Sequence, residues 1–158
     1  MTRFDWFQAS PGAVQALLKL QGFINHGSLE HKTLELVKLR ASQLNGCAYC
    51  IVMHTKDARA AGETEQRLYL LDAWHEATHL YSERERAAVE WTQAITNIGD
   101  GHAPDDVFAR VRAQFTEAEL VDLTLAISAV NAWNRLNIAF RVQAGGYRPG
   151  MFSKAVAS

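Results

Sequence analysis

The chain has 158 residues, 48% of them hydrophobic, with 16 Lys and Arg against 17 Asp and Glu and a formal net charge of −1. That length and apolar content suffice for one domain with its own core, and they exclude a disordered tail or a disulfide-stapled miniprotein. With arginines scattered among acids, no global field gathers nucleic acid or an anionic membrane, so neither is expected as a partner.

In chain order, helix signals recur and strand signals are almost absent. The first six residues, Met1 to Trp6, lack the apolar stretch of a secretory signal, so the expected location is cytoplasmic. Ser10-Pro11, with proline at the first helical position, predicts a helix over 10–26 that carries Val14, Leu17, Leu18 and Phe23. Ser28 is the predicted cap of a second helix over 28–44. Asn45 as N-cap and Gly46 at the turn lead into a third over 46–61, stopped by Gly62. Thr64 begins a fourth over 64–75. Ser82 and Glu85 form a capping box for a fifth over 82–98, and Pro104 opens a sixth over 104–113. Thr116 and Glu119 are a second capping box, starting a last helix over 116–144 that Gly145-Gly146 closes.

Residues 120–140 approach the length of a membrane span, but Asp122, Asn131, Asn134, Arg135 and Asn137 interrupt them. A helix so apolar on most faces is expected at the centre of the fold or between subunits. The reading is all-α: a single-domain antiparallel helical bundle over 1–146, with a C-terminal tail at 147–158 that is free or docks on a neighbouring subunit.

The chemistry concentrates at one place. Cys47 and Cys50 are the only two cysteines, His54 follows four residues later, and Glu35 precedes Cys47 by twelve. At a helix start, unpaired N–H groups and the helix dipole favour thiolate over thiol. At 100° per residue Cys47, Cys50 and His54 fall within a wedge of about 60°, which stacks the imidazole one turn beyond Cys50. Cysteines three apart inside a helix need local distortion to bridge, which suits a cycling redox pair better than a permanent staple. Two other readings of the pair stay open: small buried hydrophobes, and three ligands of a zinc site that lacks a second cysteine knuckle. No metal ligand set is assigned.

His75-Glu76-Ala77-Thr78-His79 matches the His-Glu-x-x-His pattern of zinc proteases. That motif needs a continuous helix, and the capping box at Ser82 starts a new one three residues later, so the stretch is expected to be a helix end and connection.

Residues 35–55, running from Glu35 through Cys47-Ala48-Tyr49-Cys50 to His54-Thr55, resemble the signature of the AhpD-like alkyl hydroperoxidases of the carboxymuconolactone decarboxylase superfamily. Leu70-Leu71-Asp72-Ala73-Trp74, Ser82-Glu83-Arg84-Glu85-Arg86-Ala87-Ala88 and Asn131-Ala132-Trp133-Asn134-Arg135 resemble it too, so the likeness spans about 10–145. The resemblance implies an all-helical subunit in a homo-oligomer, a trimer or hexamer, that reduces hydroperoxides. By position Cys50 is then the attacking thiolate, Cys47 the resolving thiol, and His54 and Glu35 the proton relay. No cofactor is bound on this reading, and electrons return from a dihydrolipoyl protein or another dithiol donor. Tyr49 stands where well-studied members of that family carry a relay histidine, and a phenol titrating near ~10 is a poor proton acceptor at neutral pH. A carboxymuconolactone decarboxylase-like lyase, a disulfide reductase or redox sensor, and a non-enzymatic scaffold are the competing readings.

Overall fold

Helix α3 (His31–Asn45) organises the molecule because its sequence is apolar on two sides. In the computed structural model, which describes residues 1–152, α3 is buried at every position from Thr33 to Ser42. Leu34 and Val37 join one apolar cluster with Ile24, Ala88, Leu123 and Ile127. Leu36 and Leu39 join a second with Leu68, Leu71 and Trp74. Positions two apart on a helix do not share a face, so one helix divides two cores. Each fully buried leucine, such as Leu36 or Leu123, contributes roughly 1.5–3 kcal/mol through removal from water.

The other helices are α1 (Trp6–Ala9), α2 (Pro11–Asn25), α4 (Ala48–Ala60), α5 (Glu65–Tyr69), α6 (Glu83–Thr96), α7 (Asp105–Arg112) and α8 (Glu117–Ala139). Short 3-10 helices cover Leu70–Ala73 and Thr78–Leu80, and no strand occurs among the described residues. Helix α3 packs on α4, α6 and α8, with α7 against α6 and α2 against α8. The fold is all-α as expected. Among the described residues no helix is long and apolar enough to cross a membrane.

Both predicted capping boxes form, with reciprocal Ser82–Glu85 and Thr116–Glu119 bonds. Ser28 does not cap: α3 starts at His31 behind Glu30, without a side-chain cap bond. The helix predicted over 64–75 breaks at Tyr69 and tightens into the first 3-10 helix. Tertiary partners take over there, since Trp74 Nε1 donates to Gln93 Oε1 at 2.6 Å and Arg40 pairs with Asp72. The His75-to-His79 stretch is a turn and a 3-10 helix, the connection that its neighbouring capping box implied. Helix α1 went unpredicted; it is one turn long, capped by the Asp5 carboxylate.

The last helix ends at Ala139 rather than 144. Arg141 takes the left-handed conformation (φ 53°), with Arg141 N–H bonding Ile138 O and Val142 N–H bonding Asn137 O. This is the double bond pattern that glycine normally closes, made here by an arginine, so no compositional signal marks it. Residues 147–152 do not hang free: Tyr147 is 4% exposed and packs on α4 of the same chain, while 153–158 of the predicted tail lie outside the described residues.

Candidate functional site

The turn between α3 and α4 places the cysteines. Gly46 sits at φ 69°, and the Gly46 and Cys47 N–H groups bond back to Gln43 and Ser42 carbonyls. Only glycine takes this backbone without steric cost. Asn45 is therefore the last residue of α3, not the N-cap of α4 that its residue type suggested. Its side chain reaches α8 instead, donating to Asn131 and Asn134 Oδ1 at 2.9 Å. Cys47 is the N-cap, in extended conformation, and Cys50 lies in the first turn.

Cys47 and Cys50 are joined as a disulfide with their Cα atoms 5.3 Å apart. That separation is within the roughly 4.4–6.8 Å usual for bridged cysteines, because Cys47 stands outside the helix and the bridge does not span helical geometry as the spacing alone suggested. Both residues are buried. Cys50 Sγ accepts from Asn137 Nδ2 at 3.4 Å.

Above the disulfide, α3 and α4 face each other through charge. His54 Nδ1 lies 3.1 Å from Glu35 Oε2, and Lys38 Nζ donates to Glu35 Oε1 at 3.0 Å and to Asn25 Oδ1 at 3.3 Å. Burial by itself raises the Glu35 pKa, but the Lys38 charge and the bonds from His54 and Lys38 outweigh it and hold the carboxyl well below the usual range. An ionised carboxylate only accepts, so His54 Nδ1 carries the proton that it donates. Nε2 is then the basic nitrogen of the neutral ring.

Asp57, three residues past His54, completes the polar side. A donor atom from each of Glu35, His54 and Asp57 lies within 4.8 Å of the others, the one such group of three among the described residues. Both carboxylates are already hydrogen-bonded, Glu35 by Lys38 and Asp57 by Tyr147. The Cys47, Cys50 and His54 set offers no thiolate ligands while its sulfurs are bonded to each other. The Tyr147 hydroxyl is 2.8 Å from both Asp57 oxygens, and Lys56 Nζ donates to Tyr147 O at 2.8 Å and Gly145 O at 3.3 Å. Burial pushes the Asp57 carboxyl up, with the Tyr147 bond opposing and the Glu35 charge adding.

Glu35, Lys38, His54 and Asp57 line a pocket of about 580 Å³ together with apolar Leu18, Met53, Val130 and Trp133. Tyr49 lines it too, half-buried, and burial pushes its phenol further from neutral titration. Phe152 stacks on Phe7 (ring centroids 6.1 Å apart) and on Tyr147 (5.9 Å), which brings α1 and residues 147–152 together beside the pocket.

All five residues singled out in the sequence meet here: Glu35, Tyr49 and His54 on the pocket, with Cys47 and Cys50 buried beside it. Asp57, Tyr147, Lys38 and Asn137 were missed. Asn137 left a trace, since Asn131, Asn134 and Asn137 recur every three residues along an apolar helix and are all buried. Asn134 donates to Ser42 Oγ and Asn131 to Thr96 Oγ1, both at 3.1 Å.

The model of the carboxymuconolactone decarboxylase family matches residues 11–94, more than half of the chain and all of the Glu35-to-Asp57 segment. The chain belongs to that family. An uncharacterized Bacillus subtilis relative, YdfG, is 43% identical over 137 residues, covering 87% of this chain and 92% of its own length. A crystal structure from Agrobacterium tumefaciens superposes with a TM-score of 0.89 at 42% identity, covering 93% of this chain and all of that one. It is described as a protein of unknown function and a candidate antioxidant defence protein AhpD. An uncharacterized peroxidase-related protein from Silicibacter sp. TM1040 shares the fold at 17% identity, with a TM-score of 0.72 over 89% of this chain and 73% of its own. Family membership and fold thus agree on the AhpD-like type.

Proposed function

We propose that this chain is a thiol-dependent peroxidase that reduces organic hydroperoxides, with Cys50 as attacking thiolate and Cys47 as resolving thiol. The observation that carries the reading is the Cys47–Cys50 disulfide beside the buried Glu35–His54 pair on a largely apolar pocket. Cys50 sulfur attacks the terminal peroxide oxygen, the O–O bond breaks, and the alkoxide leaves as Cys50 becomes a sulfenic acid. Cys47 then attacks that sulfur and expels water. The two thiol protons end on the alcohol and the water, and His54, oriented by Glu35, holds each in passage. A dithiol donor, a dihydrolipoyl protein or a related thiol, returns two electrons to the disulfide.

The same reading places the chain in a homo-oligomer, a trimer or hexamer. Phe108 on α7 and Val121 on α8 are 46% and 66% exposed beside a shallow apolar groove, the kind of surface a second subunit covers.

Intact-mass spectrometry tests the chemistry. Reduction by a dithiol should add two hydrogens, and one equivalent of cumene hydroperoxide should remove them while the peroxide becomes alcohol. Thiols that persist in peroxide would overturn the reading, and a lyase would keep its activity in Cys50→Ser.

A further inference from the structure

Asn137 is the polar side chain that bonds the reacting sulfur, and the acceptor end of its amide is empty. Its Nδ2 donates to Cys50 Sγ at 3.4 Å, whereas His54, the group that sequence spacing paired with Cys50, spends Nδ1 on Glu35. Asn137 is 4% exposed and lines the pocket. Its Oδ1 is buried with no hydrogen-bond partner. Among the described residues two other buried side-chain atoms lack a hydrogen-bond partner, Trp6 Nε1 and Glu63 Oε2; the latter faces Lys32 Nζ at 3.9 Å, and neither residue lines the pocket. Leaving a buried acceptor unsatisfied is unfavourable, so one beside a reactive sulfur calls for a donor that arrives during turnover.

Resting on the peroxidase reading, we propose that Asn137 is a catalytic residue of the peroxide step, holding the Cys50 thiolate through Nδ2 and the hydroperoxide O–H through Oδ1. A disulfide sulfur is a weak acceptor and a thiolate a strong one, so reduction strengthens the Nδ2 bond. Cys50 is fully buried in the disulfide form, as is the orphan oxygen, and because one amide carries both the donor to Cys50 and that oxygen, a peroxide that reaches the sulfur meets it. The incoming O–H donates to Oδ1, which turns the terminal peroxide oxygen toward sulfur. As the S–O bond forms and the O–O bond breaks, that hydrogen stays on the sulfenic acid, still facing Oδ1, and His54 protonates the departing alkoxide. The asparagine amide gives and takes no proton.

The test compares two oxidants of the reduced protein by stopped flow. Cumene hydroperoxide carries the O–H that Oδ1 is to accept, and 4,4′-dithiodipyridine carries none. In Asn137→Leu, nearly equal in volume, oxidation by the hydroperoxide should slow about 10- to 100-fold, while the dithiodipyridine reaction slows several-fold at most. The thiolate absorbance titration of Cys50 should move to higher pH. Asn137→Asp keeps the acceptor but places a negative charge at the donor position, and should slow both oxidants. Equal slowing by both in Asn137→Leu overturns the role of Oδ1, and an unmoved thiolate titration overturns that of Nδ2. A wild-type protein that reacts with dithiodipyridine but not with hydroperoxide defeats the peroxidase reading itself, and the titration still decides the Asn137–Cys50 contact.

Discussion

His54 Nδ1 and Glu35 Oε2 stand 3.1 Å apart across the α3–α4 interface, both buried, at positions nineteen apart in the chain. The contact fixes one imidazole tautomer and ties the His54 ring to the helix that divides the two cores.

Glu35→Gln should destabilise the protein by about 3 kcal/mol, because Lys38 is left buried without its carboxylate. The sign of the pH dependence follows from the lowered Glu35 pKa. Its stabilisation is fully present above the ordinary value of 4.5 and is lost as pH falls below it toward the lower folded-state value. Urea unfolding should therefore show a wild-type advantage at pH 7 that shrinks below pH 4.5. A constant difference across that range would contradict the buried pair.

Replacing His54 by Gln removes the base while leaving a group that can still bond Glu35. Oxidation of the reduced protein by cumene hydroperoxide should slow by about 10²- to 10⁴-fold. Stopped-flow rates from pH 5.5 to 8.5 should also lose whatever wild-type dependence the imidazole imposes. A variant with the wild-type rate and profile would remove His54 from the mechanism.

Tyr147→Phe deletes the donor to Asp57 and should cost about 1 kcal/mol of stability. Hydrogen exchange should rise in residues 145–152 while α3 stays protected, because the lost bond holds the terminal segment and not the core. Faster exchange in α3 would mean that the segment supports the core as well.

Tyr49 lines the pocket, yet burial moves its phenol away from neutral titration. If proton transfer limits turnover, Tyr49→His should speed peroxide reduction at pH 7, since an imidazole titrating near ~6.5 both accepts and returns a proton. Tyr49→Phe should change little. A Phe variant that is crippled, beside a His variant that gains nothing, would make the hydroxyl a working link.

The assembly prediction rests on exposed Val121 and Phe108. Light scattering at micromolar concentration should give three or six copies, and Val121→Glu should lower the mass. A 17.6 kDa wild-type particle would contradict it.

Local signals carried most of the architecture. Capping boxes at Ser82 and Thr116 and the proline at position 11 reported helix starts faithfully, because the capping partners lie within one turn and the proline ring presets its own backbone angle. Boundaries set by distant contacts were not legible: the break after Tyr69 answers to Gln93 and Arg40, and the end of α8 is closed by an arginine in a glycine's place. The same division runs through the site. Cys47, Cys50 and His54 declare themselves by their spacing at the start of α4, and Glu35 by the family likeness. Asp57, Tyr147 and Asn137 become site residues only when chain ends and helices far apart in sequence meet, 90 residues separating Asp57 from Tyr147 and 87 separating Asn137 from Cys50.

Tyr147 and Phe152 belong to the pocket but come after the last helix, which stops at Ala139. This side of the cavity can therefore exchange side chains without asking the helices to repack. On the proposed peroxidase reading, the stretch after α8 is where preference for one hydroperoxide over another can diverge at little cost to the two cores, and where an engineer seeking a new substrate should randomise first.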